Sequence, residues 1–258
     1  MLISILSTFY NDKEMLIRTL DSVLLQSYGE IEHVVTDGGS VDGSVEVLKI
    51  YEEKYKKAGK RLIWKSERDR GIYDGTNKAA SMASGDYLLF GTDPYVDNTV
   101  IGYIVNALER NDVDYIYGGM YFQRDGKIIR RWSGKPGNWR FGWMAATPTL
   151  AMKRSVWEKH GPFDLHYISA SDYKFQLKIF QDRTLKSKSL NRFLVMYYAG
   201  GTSNGGLKAK WLSIKECQKI LKDCHVRFGW FTNLCKTAIA ICAYTFASHQ
   251  IVKEEEGK

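Results

Sequence analysis

Three acidic residues in this chain stand where a fold would put them to chemical use. Asp37 closes the run Ile31-Glu32-His33-Val34-Val35-Thr36-Asp37-Gly38-Gly39-Ser40, in which β-branched residues favour a strand and two glycines permit a tight turn after the carboxylate. Asp93 follows the continuous apolar run Tyr87-Leu88-Leu89-Phe90 in a similar way. Asp172 falls in the first turn of a helix with apolar Phe175, Leu177, Ile179 and Phe180, where the helix dipole stabilises a carboxylate as the anion. In open α/β sheets, ligands bind at the carboxyl ends of the strands, so Asp37 and Asp93 suit a small-molecule site. Simpler roles stand beside these: Asp37 as a brace for its own turn, Asp172 as a helix-capping acid. The stretch Ser66-Glu67-Arg68-Asp69-Arg70-Gly71-Ile72-Tyr73-Asp74-Gly75-Thr76-Asn77-Lys78, dense in both charge signs, suits a polar ligand.

The elements that must position these residues follow from hydrophobic periodicity. Residues 2–6 read as a strand ending in Ser7-Thr8-Phe9-Tyr10-Asn11, and residues 12–26 place Leu16, Ile17, Leu20, Val23 and Leu24 on one helical face. With the strand at 31–36 this makes a βαβ unit whose crossover is right-handed. Helices are expected at 43–56, 76–84 and 100–110, strands at 62–65, 87–90 and 114–119, and a hairpin over 121–132 around Asp125-Gly126. Residues 136–149 form an aromatic, glycine-bearing loop, residues 190–198 another strand and 199–206 a glycine-rich loop. From Lys208 onward the chain reads as helices, with Trp211, Ile214, Cys217, Leu221 and Cys224 on one stripe. Strand and helix alternate as in an α/β fold with a mostly parallel central sheet flanked by helices, residues 1–206 as one domain and 207–258 as a helical extension.

Composition narrows the choices. The 258 residues are 44% hydrophobic, enough for one large core, and carry a net charge of +8. A basic balance suits nucleic acid, an anionic membrane or a phosphate-bearing substrate. No element interleaves basic and aromatic residues in a nucleic-acid-binding motif, so nucleic acid is set aside. The turn after the first strand lacks Gly-x-Gly-x-x-Gly, and no phosphate loop ending in Gly-Lys-Ser or Gly-Lys-Thr occurs. The cysteines at 217, 224, 235 and 242 fit no zinc spacing and point to a reducing, cytoplasmic setting. The apolar run near 237–247 falls short of the roughly 20 residues a membrane-spanning helix needs. It suits a membrane interface, the core or a second subunit, as in a homodimer.

Four segments, Ser7 to Asn11, Val35 to Gly43, Ser66 to Lys78 and Gly85-Asp86-Tyr87, together resemble family 2 glycosyltransferases of the GT-A fold, above all bacterial enzymes of capsule, O-antigen and exopolysaccharide assembly. The resemblance implies inverting transfer of a sugar from a nucleotide sugar, UDP-linked, to a hydroxyl of a saccharide or lipid-linked saccharide. It implies that Thr8, Tyr10 and Asp37 hold base and ribose, and that Asp69, Asn77 and Lys78 lie along diphosphate and sugar. Asp93 would bind a divalent metal, Mn²⁺ or Mg²⁺, and Asp172, in Ala170-Ser171-Asp172-Tyr173, would be the catalytic base. The resemblance also places residues 199–206 near the diphosphate; the expected setting is the cytoplasm, with a peripheral place on the inner face of the plasma membrane as the alternative that the apolar run near 237–247 leaves open. Three positions depart from the family pattern: Thr92 and Pro94 flank a single Asp93 in place of an acid pair, Gly119 stands for an acid, and Thr147 for a histidine. They motivate a rival reading, a catalytically weakened nucleotide-sugar-binding or scaffold protein of the same fold.

Overall fold

A computed structural model describes residues 1–198 and 207–256; side chains are described as far as Cys242, except at position 207. The expectations for the loop at 199–206 lie outside the described residues. The strands β1 (Ile3–Phe9), β2 (Ile31–Asp37), β3 (Arg61–Ser66) and β4 (Tyr87–Phe90) are parallel and lie in the order β3-β2-β1-β4. The helices α1 (Lys13–Leu24), α2 (Ser44–Lys57) and α3 (Ile72–Met82) connect them. After α4 (Val100–Asn111), the long β5 (Tyr115–Arg124) turns at Asp125-Gly126 into β6 (Lys127–Trp132). Both turn residues have positive φ, 50° and 78°, the conformation a tight hairpin requires. The short β7 (Ala151–Lys153) runs antiparallel between β4 and β5, and β8 (Ser187–Tyr198) pairs parallel with β5. The sheet is therefore mixed, with a parallel core.

Every residue of β1 and β2 is buried, as expected for central parallel strands. Alternation along them feeds two cores. Ile3, Ile5, Phe9, Ile31 and Val35 meet α1, α2 and α4 on one face. Leu6 and Val34 meet α3, α5 (Arg154–His160) and α6 (Ser171–Gln181) on the other, through Ala79, Ala80, Trp157, Phe175 and Ile179. A third cluster, Tyr167, Ala170, Tyr173 and Leu177 with Cys217, Ile220 and Leu221, docks α7 (Leu207–Asp223) on α6; α8 (Gly229–Glu256) follows. The stripe expected on α7 splits: Cys217 and Leu221 are buried, whereas Trp211 and Ile214 stay exposed.

Register decides where the chemistry sits. Phe9 pairs with Asp37 and Asp37 with Ser66, so β1, β2 and β3 end on one line across the sheet. The helix expected at 76–84 begins four residues earlier, after Gly71 with φ 109°, because Tyr73 and Asp74 continue the helical spacing of Thr76 and Lys78. That shift moves Tyr73 from the loop onto the helix.

Sequence patterning gave no warning of the fully buried Glu32 at the opposite end of β2. Its carboxylate accepts from Ser4 Oγ (2.8 Å), Ser84 N and Ser84 Oγ (2.6 Å each), and lies 3.3 Å from Arg61. Burial alone would raise its pKa, but the two Ser84 bonds, Ser4 and Arg61 outweigh burial and hold it below the usual range. The stability this carboxylate contributes is present above its unfolded pKa and is lost as pH falls through the lower folded value. Glu32→Gln, which points an amide donor at the Ser84 donors, should cost about 2–4 kcal/mol in urea denaturation with an unchanged slope. An unchanged midpoint would show that the network contributes nothing.

Candidate active site

At the carboxyl ends of the strands the chain builds two adjoining regions. One is polar and lies over β1 and β2. Thr8 Oγ1 is 3.0 Å from Thr36 Oγ1 and 3.3 Å from Thr76 Oγ1, and Thr36 donates to Gly75 O at 3.0 Å. Helix α3 can come this close only because residue 75 is glycine: a Cβ there would lie 2.2 Å from the Thr8 methyl and 3.1 Å from Asp69 Oδ2. Asp69 is thereby placed against Gly38 and Gly75, and its other oxygen caps Gly71 N at 2.9 Å. Tyr10 stands at the rim with 62% of its surface exposed.

Asp37 is 1% exposed and already engaged. Oδ2 accepts from Gly39 N (3.1 Å), Ser40 N (3.0 Å) and Ser66 Oγ (2.6 Å), and Oδ1 accepts from Ser40 Oγ. The turn-bracing role is thus directly visible. Each oxygen of an ionised carboxylate offers about two lone-pair sites; Oδ2 is saturated, whereas Oδ1 accepts one bond and keeps one site for a ligand. Asn77 and Lys78 each have partners within the chain. The Asn77 amide clips the backbone of Phe163, donating to its carbonyl and accepting from its N–H, both at 2.9 Å. Lys78 pairs with Glu67 (3.1 Å) and Asp74 (3.7 Å) and donates to Arg68 O, so its charge is neutralised within the loop 66–78. Both residues brace the segments that border the site.

The second region is a cavity of about 330 Å³ lined by Asp12, Tyr73, Asp93, Thr147, Asp172 and Tyr198, among others. Asp172 lies in the first turn of α6 but does not cap it: the N-cap is Ala170, with no side-chain capping bond. Its carboxylate turns to the cavity wall instead. Tyr73 Oη donates to Oδ1 at 2.9 Å and Thr147 Oγ1 donates to Oδ2 at 2.9 Å. Burial, and then the Asp172 charge, push the Tyr73 phenol far above its ordinary range, so Tyr73 remains a donor. A second contact fixes the Thr147 hydroxyl. Gln176 Oε1 accepts from Ala145 N (3.1 Å), so Nε2 faces Thr147 and donates to it at 2.8 Å, leaving the threonine proton for Asp172.

Asp93 is only 9% exposed and accepts no hydrogen bond among the described residues. Burial, and then the nearby Asp12 charge, raise its pKa to about 7. A buried carboxylate without a donor, beside a second acid in the same cavity, is a donor set that suits a cation. No group of three or more His, Cys, Asp or Glu among the described residues is arranged to hold a metal by itself. The residues therefore fit a divalent metal carried largely by its ligand and water, as Mg²⁺ is often held, with one protein carboxylate.

Two of the departures acquire physical reasons. Gly119 has no room for an acid: a Cβ would lie 2.8 Å from the Phe193 ring and 2.9 Å from Trp132 O. Thr147 serves as a donor to Asp172. Sequence reasoning missed Tyr73 and Gln176 as site residues and marked Thr147 only as a departure from the family's histidine. The one available signal was the spacing of Asp172 and Gln176, four apart on one helical face.

A mostly parallel sheet with acids at its carboxyl edge and a carboxylate-lined cavity beside the switch from parallel to antiparallel pairing is compatible with the GT-A fold of glycosyltransferases, and sequence comparison carries the assignment. The chain belongs to the family described as Glycosyl transferase family 2, whose sequence model matches residues 4–168. It is similar to a PGL/p-HBAD biosynthesis glycosyltransferase of Mycobacterium bovis, 28% identical over 207 residues and 78% of each chain. It is similar also to the UDP-Glc:alpha-D-GlcNAc-diphosphoundecaprenol beta-1,3-glucosyltransferase WfaP of Escherichia coli, 26% identical over 213 residues, 80% of this chain and 82% of that one. Among solved structures, S. aureus TarS 1-349 in complex with UDP-GlcNAc shares the fold with a TM-score of 0.66 at 16% identity, over 88% of this chain and 66% of that one. The mannosyltransferase PcManGT from Pyrobaculum calidifontis, in complex with GDP-Man and Mn²⁺, does so with a TM-score of 0.62 at 16% identity, over 98% of this chain and 79% of that one. The chain spans slightly under two thirds of the length of the TarS fragment.

Asp37→Ala removes the common acceptor of Gly39, Ser40 and Ser66, so it should lower the melting temperature. It should also weaken UDP binding more than about tenfold, the worth of one charge-assisted hydrogen bond. Calorimetric titration of the folded variant checks the second effect; unchanged UDP affinity would leave Asp37 with its turn alone.

Proposed function

We propose that this protein transfers a sugar from a UDP-linked donor to an acceptor hydroxyl with inversion at C1, in the assembly of a polysaccharide or glycolipid. The observation that carries the reading is the Asp172 carboxylate, held by Tyr73 and Thr147 on the wall of the cavity that also contains Asp93. In this reading the uracil and ribose lie over the polar region, with Thr8, Asp37 and Asp69 below and Tyr10 at the rim. In this reading residues 1–206 are the transferase domain and 207–258 a helical extension. The names of WfaP and of the TarS complex, both of which involve UDP-sugars, support the choice of nucleotide.

Asp172 then has one task. It accepts the proton of the acceptor hydroxyl while that oxygen forms its bond to C1 and the bond from C1 to the diphosphate oxygen breaks, the diphosphate leaving with the bonding electrons. With one displacement and no covalent enzyme intermediate, the configuration at C1 inverts. The two donors orient the carboxylate without supplying a proton of their own. A divalent metal held by Asp93 would neutralise charge on the leaving diphosphate.

The rival reading, a weakened binding protein, keeps only one of its three supports. Gly119 and Thr147 are accounted for by packing and by the bond to Asp172, which leaves the single carboxylate at Asp93.

Determining the anomeric configuration of the product by NMR tests the reaction class: inversion is expected, and retention would exclude Asp172 as a base in a single displacement. Exhaustive EDTA treatment should abolish turnover and Mn²⁺ or Mg²⁺ should restore it; full activity in EDTA would remove Asp93 from the metal role. Thr147→Val should lower kcat about tenfold or more, the worth of a hydrogen bond to a charged group, with donor affinity unchanged. Equal losses in kcat and donor affinity would mean that Thr147 shapes the donor site instead.

A further inference from the structure

The face built by α7 and α8 differs from the rest of the surface. Trp211, Phe228, Trp230, Leu234 and Ile241 are 58–62% exposed on it. Residues 208–242 also carry six Lys and one Arg against one Glu and one Asp. Both acids are engaged by the body of the protein. Glu216 is buried and accepts from Ile168 N and Ser169 N at 2.9 Å each, and Asp223 accepts from Tyr167 Oη at 2.6 Å. The charge this face presents is therefore positive. Its basic residues are interleaved with the aromatics: Lys215 Nζ stands 3.2 Å from the centre of the Trp211 ring, and Lys208 and Lys236 line an apolar groove between the helices with Trp211, Ile214 and Ile241. No helix among the described residues is long and apolar enough to cross a membrane.

Exposed aromatic and aliphatic side chains ringed by cations meet the requirements of the bilayer interface, where the rings enter the headgroup region and the cations meet phosphates. A second copy of this chain is the poorer fit, because a two-fold contact would set this cationic face against itself. We propose that the α7–α8 face docks the protein on the surface of an anionic lipid bilayer, with both helices lying on the membrane rather than spanning it.

The docked face is packed on α6, the helix that carries Asp172. Lys236 lines the groove and its Nζ stands 5.0 Å from the centre of the Tyr173 ring, next in sequence to Asp172. A membrane-held acceptor would thus be brought to the side of the protein where α6 packs; this consequence, unlike the docking, rests on Asp172 being the base.

Flotation of the full chain with vesicles of phosphatidylcholine alone, or mixed with phosphatidylglycerol, tests the docking without any assay of transfer. Binding to the mixed vesicles, reversed by high salt and much weaker on phosphatidylcholine, is expected. Lys208→Ala, Lys215→Ala and Lys219→Ala should each lower affinity about fivefold. Trp230→Glu with Leu234→Glu should abolish flotation while circular dichroism, melting temperature and UDP binding stay at wild-type values. Absence of flotation with mixed vesicles would overturn the proposal. So would a dimer in sedimentation that the glutamate pair dissolves while flotation persists, since the face would then belong to a second copy. If the glutamate pair misfolds, the lysine variants decide alone, and wild-type flotation by all three would equally overturn it.

Discussion

The site turns on one constraint: a carboxylate at the first turn of a helix must be kept in a single orientation without being neutralised. Asp172 meets it with two neutral donors, Tyr73 on one oxygen and Thr147 on the other. A lysine or arginine in their place would have stabilised the anion more strongly and made it a poorer base. Tyrosine and threonine orient it through neutral hydroxyl donors. The three groups come from α3, from the loop before β7 and from α6, so the clasp closes only when three distant parts of the chain have docked. The Asn77 clip on the Phe163 backbone and the Gln176 bridge between Ala145 and Thr147 tie those parts together.

Asp37 shows the same economy on the other side. It anchors the turn after β2 through Gly39, Ser40 and Ser66, and in doing so fixes the polar floor made by Thr8, Thr36 and Thr76. Gly75 lets α3 close on that floor, and the same helix presents Tyr73 to the cavity. The two regions are therefore coupled through one rigid helix.

The central architecture was legible in the sequence because β1, β2 and β4 are apolar runs, each followed by turn residues, and their parallel pairing follows from the helices between them. The hairpin was legible from Asp125-Gly126. Within the site, Asp37, Asp93 and Asp172 were legible as acids at the ends of elements. Their partners were not, since a contact such as Tyr73 to Asp172 spans 99 positions and depended on a helix start misplaced by four residues. Asn77 and Lys78 were drawn toward a ligand on the strength of a motif. Only tertiary structure shows that Phe163, Glu67 and Asp74 are their nearest partners. Glu32 escaped notice altogether, because nothing local marks a glutamate whose three donors lie on other strands and turns.

The central claim is that Asp172 acts on the acceptor proton and not on the donor, and comparing Asp172→Asn with wild type by donor titration and turnover tests it most directly. Asparagine keeps the size of the side chain but is a far poorer base. The account predicts an unchanged donor dissociation constant and a fall in kcat of about 10²–10⁴-fold, the usual contribution of general-base assistance. A variant that keeps about half or more of wild-type turnover would contradict it and leave the Tyr73–Asp172–Thr147 clasp as packing between α3 and α6.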